Sequence, residues 1–251
     1  MTAGTPFKDH FSDKSANYAK YRPRYPDTLF AHLAGLCDGH DLAWDCATGN
    51  GQSALGLAEH FRHVIATDAS AAQIDAAIRD PRVSYHVAPA EQGGLDDDSV
   101  DLLTVGQALH WFDLPRFFAE AARAVRNGGV VAAWSYRMCT VDAAVDGVLD
   151  ELYSGIVDEF WPPERDIVDN EYRDIEFPAA LVEMPDFEMT QTWDVDDMLG
   201  YLRTWSASKR FEKQHGQDPV GIIETPLRDN WGDVTRDAVW PLTVCAYRIA
   251  D

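Results

Sequence analysis

Residues 41–61 read DLAWDCATGNGQSALGLAEHF, and the fold follows from this stretch. Leu42–Trp44 is a short apolar run, Asp45–Gly51 is polar with two glycines, and Ser53–Phe61 has helical apolar spacing. A strand that ends in a glycine turn and passes directly into a helix opens a βα unit. The same unit recurs downstream. HVIATD (63–68) is a second buried strand, SAAQIDAAIRD (70–80) a helix closed by Pro81, and RVSYHVA (82–88) an alternating third strand. SVDLLTVG (99–106) is a fourth strand, LPRFFAEAARAVRNG (114–128) a helix with Asn127-Gly128-Gly129 as its stop, and GVVAAWSY (129–136) a fifth strand. Upstream, Asp27 caps a helix over 27–37 that carries Leu29, Phe30, Leu33 and Leu36 on one face. Such alternation specifies a parallel sheet with helices on both faces.

The rhythm breaks after residue 137. Val145, Val148, Leu149, Leu152 and Ile156 keep helical spacing, WPPERD follows, and then a polar stretch. FEMTQTWDV (187–195) reads as a strand, DDMLGYLRTWSA (196–207) as a helix and AVWPLTVCAYRI (238–249) as a last strand, where Pro241 predicts a bulge or an edge position. The expected architecture is one α/β domain with a doubly wound, Rossmann-like, mostly parallel seven-stranded sheet. Its parts are an N-terminal arm and cap helix (1–36), a cofactor-binding core (37–137), a helical, acidic insertion or lid (138–185) and a sheet-completing C-terminal part (186–251).

Charge is distributed along the chain in the same segmental way. The 251 residues hold 42 acidic and 21 basic side chains, a formal net charge of −21. Residues 1–141 hold 17 acids and 12 bases, residues 142–200 hold 18 acids and only Arg165 and Arg173, and residues 201–251 hold seven of each. This balance argues against nucleic acid and against an anionic membrane as partners, because both need clustered Lys and Arg. The four cysteines (37, 46, 139, 245) lack metal or redox spacing, which suits a reducing compartment. MTAGTPFKDHF has no apolar leader core and no run of 18 apolar residues occurs, so a cytoplasmic monomer or homodimer is expected. His60 and His63 have no third ligand near in sequence, so no metal site is expected.

Ligands of doubly wound sheets lie at the carboxyl ends of the strands. Asp45–Gly51 stands at the first such end, Asp68 at the second, Ala90-Glu91 past the third and Gly106-Gln107-Ala108-Leu109-His110-Trp111 past the fourth. Asp68 suits a ribose diol, and the set describes a nucleoside-bearing cofactor. Gly49–Ala54 also fits the dinucleotide pattern G-x-G-x-x-A, with Asp68 nineteen residues beyond Gly49. Asp45 separates the two readings. A carboxylate there repels a pyrophosphate and attracts a sulfonium or ammonium, and opposite charges ~4 Å apart interact by about 4 kcal/mol at an effective dielectric of 20. S-adenosylmethionine is therefore preferred to NAD. The alternatives are an NAD-dependent oxidoreductase on the same fold, or a non-catalytic cofactor-binding member that acts through a partner.

Asp45–Gly51, Asp68, Ala90-Glu91 and Arg126-Asn127-Gly128-Gly129 resemble the successive motifs of class I S-adenosylmethionine-dependent methyltransferases. The resemblance implies that Asp45 and the backbone of 47–51 face the methionine moiety, Asp68 the ribose, and Ala90 and Glu91 the adenine. Ala47 departs from the pattern by replacing the usual first glycine, which predicts a slightly remodelled turn. Phe11-Ser12-Asp13, Tyr18, Tyr21–Pro26, Gln107–Asp113 and Thr204-Trp205-Ser206 are similar to the trans-aconitate methyltransferase-like branch (methyltransferase type 11), which implies a small-molecule acceptor. No Asn/Asp-Pro-Pro-aromatic motif follows the fourth strand, which disfavours base amino groups. The expected cofactor-binding set is Tyr18, Arg22, Asp45, Ala47, Gly49, Gly51, Gln52, Asp68, Ala69, Ala90, Glu91 and Gln107, with S-adenosylhomocysteine as product. Tyr21, Trp111, Arg137 and Trp205 are the expected acceptor contacts. His110 is the one candidate base should the acceptor be a hydroxyl rather than a carboxylate.

Overall fold

The computed structural model describes residues 21–250. In chain order the elements are α1 (Asp27–Gly35), β1 (Leu42–Cys46), α2 (Gln52–Ala58), β2 (His63–Asp68), α3 (Ala71–Ala76), β3 (Val83–Val87), β4 (Val100–Gly106), α4 (Leu114–Ala124) and β5 (Val125–Ser135). Then come α5 (Ala143–Asp150), a π turn (Glu151–Ile156), α6 (Arg165–Asp169), β6 (Phe187–Trp193), α7 (Val195–Leu202), α8 (Ser206–His215), α9 (Val220–Trp231) and β7 (Arg236–Arg248). The seven strands form a sheet in the order β3-β2-β1-β4-β5-β7-β6. β1 to β5 pair in parallel, and β7 runs antiparallel to both β5 and β6. Winding reverses between β1 and β4, so a switch point opens at their carboxyl ends.

Alternation along the central strands divides the core. Leu102, Val130, Ala132 and Trp134 face Leu29, Phe30 and Leu33 of α1 and Leu57 of α2. Leu103, Val131 and Ala133 face Phe117 and Ala121 of α4, and the inserted segment joins this side through Val168, Tyr172 and Ile175. A third cluster stands apart, where α5, α7 and α9 pack around Trp193, Tyr201, Trp205, Trp231 and Trp240.

Several boundaries differ from the sequence reading, each because a tertiary bond overrides local propensity. α3 stops at Ala76, since the Ile78 amide donates to the Asn50 carbonyl and Arg79 Nη2 donates to the Ile74 carbonyl. α4 stops at Ala124, because the Asp98 and Ser99 amides take the Arg123 and Ala124 carbonyls. Asn127-Gly128-Gly129 is therefore a kink inside β5, where pairing jumps from Val100↔Val125 to Leu102↔Val130. Helix 196–207 divides into α7 and α8, and α9 was unread. Pro241 lies within β7 rather than on an edge strand. It sits between the Ser135↔Thr243 pair and the Thr140↔Val239 bridge, where no N–H is required.

One buried carboxylate ties the loop after β1 to the sheet. Asp45, 1% exposed, accepts from Thr48 Oγ1 at 2.5 Å and from Thr104 Oγ1 of β4 at 2.9 Å. Above it the Thr48 amide donates to the Thr67 carbonyl of β2, so the loop is bonded to β1, β2 and β4 together. Gly51 takes φ +88° at the start of α2, and a Cβ there would stand 2.3 Å from Tyr85 Oη, so both its conformation and its space require glycine. Burial pushes the Asp45 carboxyl up to about 6, against the pull of its hydrogen bonds from Thr48, Thr104 and the Ala54 amide. With a folded value above the unfolded one, the native state holds the extra proton between pH 4 and 6, and stability contributed by this group falls as pH rises through that window. In urea titrations, Asp45→Asn should gain on the parent protein by about 1 kcal/mol between pH 5 and pH 7.5. An unchanged difference across that range would show that Asp45 titrates normally.

Candidate active site

The carboxyl ends of β1 to β5 open into a cavity of about 480 Å³. Its floor is built by the strand-end loops. Its other walls come from Arg22–Tyr25, from Tyr153–Arg165 of the inserted segment, and from Thr204–Lys209. This volume lies within the range of small-molecule and cofactor sites.

At the β2 end, Asp68 reaches the cavity with both oxygens already oriented. Oδ2 accepts from the Gly49 amide at 2.9 Å and Oδ1 from the Ser70 amide at 2.8 Å. Ala69, Ala90 and Glu91 line the same end, and Glu91 Oε1 also accepts from the Asp113 amide at 3.0 Å, which braces the loop into α4. Ala47 and Gly49 line the β1 end, both with φ +56°. Ala47, in the position where a glycine was expected, thus holds a left-handed backbone. Gln52 lines this end as well and fixes the preceding segment, its Oε1 accepting from the Tyr25 amide and its Nε2 donating to the Pro23 carbonyl.

At the β4 end, Gln107 also holds a positive φ, +55°. Its side chain acts as an extra peptide between strands, with Nε2 donating to the Tyr136 carbonyl and Oε1 accepting from the Tyr136 amide, both at 2.9 Å. His110 and Trp111 follow in a 3₁₀ turn, rings 4.8 Å apart, and both line the cavity. His110 Nδ1 is buried without a protein hydrogen bond. Burial, aided by the charge of Arg165, pushes the imidazole down to about 3, so it is neutral at physiological pH. Arg22 Nη1 donates to Tyr136 Oη at 3.0 Å, with the guanidinium 5.8 Å from the Tyr201 ring centroid.

Most expected site residues therefore converge. Arg22, Ala47, Gly49, Gln52, Asp68, Ala69, Ala90, Glu91, Gln107, His110, Trp111, Arg137 and Trp205 all line one cavity. Three do not reach its wall. Asp45 lies one layer beneath, its oxygens engaged by Thr48 and Thr104 rather than turned toward a ligand cation. Gly51 backs onto Tyr85, and Tyr21 packs its ring over Gly200. Tyr18 lies outside the described residues. The sequence reading missed Tyr136, Tyr153, Trp161, Arg165, Tyr201 and Lys209, which also line the cavity. The available signal was Arg165, one of two bases in a 59-residue acidic stretch.

The chain matches the family model described as "Methyltransferase domain" over residues 44–133, from β1 through most of β5. It is 36% identical over 227 residues to a Dictyostelium discoideum protein described as a methyltransferase, a match covering 89% of this chain and 86% of the relative. A Saccharomyces cerevisiae protein described as an S-adenosylmethionine-dependent methyltransferase is 28% identical over 132 residues, 49% of this chain and 45% of the relative. An Anaeromyxobacter dehalogenans structure described as a type II methyltransferase superposes with a TM-score of 0.87 at 45% identity, covering 92% of this chain and 99% of that one. Its sheet order, its strand-end loops and these likenesses together make the chain a member of the class I S-adenosylmethionine-dependent methyltransferases.

Proposed function

We propose that the enzyme transfers a methyl group to a small-molecule acceptor, at a carboxylate or a hydroxyl. The observation that carries this reading is the continuity of the cavity, which runs from Asp68 and Glu91 past Gly49 to His110 and Trp205 without an intervening wall. Cofactor and acceptor would share one enclosure.

The residues present fit S-adenosylmethionine. Asp68 lines the β2 end of the cavity, where its loop bonds hold still a carboxylate of the kind that suits a ribose diol. Ala69 and Ala90 offer small side chains against which a flat base can lie. Arg22 and the Gly49 backbone form the end suited to an amino-acid moiety. The cofactor supplies a methyl group already activated on a sulfonium. The protein's task is then alignment and exclusion of water. Tyr136, held by the Gln107 amide, and Trp205, wedged edge-on against Tyr153 and Tyr201, would fix the acceptor's approach. A carboxylate acceptor needs no base. A hydroxyl acceptor would need a base, and the neutral His110 ring on the cavity wall is the candidate for it. The segment 138–185 serves in this reading as the lid over the acceptor.

Calorimetry should find S-adenosylmethionine bound by the parent protein and bound at least ten-fold more weakly by Asp68→Ala. Asp68→Asn, which keeps one acceptor oxygen for the loop amides, should lose less. Undetectable binding to the parent protein would remove the methyltransferase reading. NMR of the imidazole should show His110 neutral from pH 5 to pH 8. With its folded value below the unfolded one, His110 contributes stability that is present above pH 6.5 and lost as pH falls toward 3. A midpoint between pH 5 and 8 would contradict this environment.

A further inference from the structure

Gln107 and Tyr136 follow the ends of two neighbouring strands, and the side chain of the first clasps the backbone of the second. Gln107 Nε2 donates to the Tyr136 carbonyl and Oε1 accepts from the Tyr136 amide, both at 2.9 Å. The Gln107 amide donates to the Trp134 carbonyl at 2.8 Å. Regular pairing of β4 with β5 ends at Gly106↔Trp134, so these three bonds carry the ladder beyond its last pair. They hold Gln107 in a left-handed backbone that non-glycine residues avoid, with φ +55°. The outcome is a Tyr136 whose amide and carbonyl are both engaged and whose side chain is buried.

The Tyr136 hydroxyl meets a residue 114 positions earlier in the chain. Arg22 Nη1 donates to Tyr136 Oη at 3.0 Å, and the guanidinium carbon stands 5.8 Å from the Tyr201 ring centroid. Tyr201 is itself firmly held. It is buried, its Oη accepts from Trp240 Nε1 at 3.2 Å, and its ring lies 5.5 Å from that of Trp193, 5.8 Å from that of Trp205 and 5.4 Å from that of Trp240. A hydroxyl at the end of β5 and a ring on α7 therefore locate one guanidinium. Arginine has many side-chain rotamers, and ordering them at the moment of binding weakens affinity. Both of these partners are neutral, so they direct the cation rather than discharge it.

The backbone on either side of Arg22 is fixed by other means. After it, the Gln52 side chain of α2 donates to the Pro23 carbonyl and accepts from the Tyr25 amide. Before it, the Tyr21 ring lies so close over Gly200 of α7 that a Cβ there would stand 2.6 Å from it. The freedom left to Arg22 is that of its own long side chain, and this is what Tyr136 and Tyr201 remove. All three residues line the cavity. A guanidinium held in one orientation is suited to a carboxylate, which it can meet with parallel N–H groups.

We propose that Tyr136 is a positioning residue for the cofactor: its hydroxyl, fixed through the Gln107 clasp, sets Arg22 to receive the carboxylate of the cofactor's amino-acid moiety. The inference rests on the S-adenosylmethionine reading of the cavity given above. It gives the hydroxyl of Tyr136 a task separate from that of the ring, which borders the acceptor's approach. The strained Gln107 turn then serves the cofactor through Tyr136 and Arg22, so that a strand end of the sheet governs a side chain of the segment before α1.

The test compares two ligands by calorimetry. S-adenosylhomocysteine carries the amino-acid end, and methylthioadenosine keeps the nucleoside and the sulfur but lacks it. Tyr136→Phe, which removes one oxygen, should weaken S-adenosylhomocysteine about ten-fold and leave methylthioadenosine unchanged. The unchanged ligand also reports that the variant is folded. Arg22→Gln should show the same pattern with at least as large a loss. Adding Tyr136→Phe to Arg22→Gln should weaken S-adenosylhomocysteine no further, because the hydroxyl acts only through the guanidinium. Unchanged S-adenosylhomocysteine affinity in either single variant would overturn the proposal, as would an equal loss of both ligands or additive losses in the double variant. Equal affinity of the parent protein for the two ligands would overturn it as well, since no group would then be reading the amino-acid end. Failure of the parent protein to bind S-adenosylhomocysteine at all would instead strike the methyltransferase reading itself.

Discussion

At the end of β1, a carboxylate sealed from water accepts hydrogen bonds from the loop that follows it and from the neighbouring strand β4. Everything above the sheet depends on this arrangement. If Thr48 and Thr104 were released, the loop 47–51 would lose its register against β1 and β4. Gly49 would then no longer hold Asp68 from the side. The two acids thus work in series. Asp45 places the loop, and the loop's amide places Asp68. The cost is electrostatic, because burial opposes ionisation of Asp45 and leaves its carboxyl well above the ordinary aspartate range. A hydroxyl-bonded buried carboxylate is also unforgiving, since removing either threonine takes away a partner that bulk water cannot replace.

The formal charge of −21 describes the molecule poorly until it is resolved into surfaces. The acids of 142–200 face outward or sit at partly exposed positions, where water screens them. Inward, the same segment supplies Tyr153, Trp161 and Arg165. A chain can carry a strongly negative exterior for solubility and still present a cationic, aromatic wall to a ligand, because the two lie on opposite sides of one layer of chain. Net charge therefore says little about what the cavity takes.

Residues 42–106 were legible from sequence because strand, turn and helix there obey local rules. Alternation, glycine turns and strand-end carboxylates each left a signature, and Asp68, Ala90 and Gln107 fall where the pattern placed them. The misreadings have a common cause. α4 and α3 end early because carbonyls and amides near their ends are claimed by other segments, which no local window reveals. α9 was missed although Ile223, Leu227 and Trp231 repeat every four residues and are all buried, because Pro226 and a polar flank masked the stripe. Both the charge of Asp45 and the family resemblance pointed it toward the ligand. Its real partners, Thr48 and Thr104, are neutral, and one of them is 59 residues away. The roof of the cavity was illegible for a different reason. Which residue of an insertion points inward is set by packing against α4 and α8, not by its own periodicity.

Two residues at successive strand ends, Ala47 and Gln107, hold left-handed backbone that non-glycine residues avoid. Each such residue costs on the order of 1–3 kcal/mol and persists only where its surroundings over-determine it. Both are over-determined here, Ala47 by the bonded loop beneath it and Gln107 by its paired hydrogen bonds to Tyr136. Strain held in place by the sheet makes the floor of the cavity rigid, which suits a part that receives one unchanging cofactor. The roof is held by other means. It consists of aromatic faces and one guanidinium on a segment that is anchored in the core by Val168, Tyr172 and Ile175 and also touches it through the partly exposed Arg137–Asp169 pair. That surface pair contributes little stability and is readily exchanged. The division follows from the chemistry of transfer between two ligands. In the function proposed above, the floor would fix where the methyl group stands and the side chains of the roof would select the acceptor.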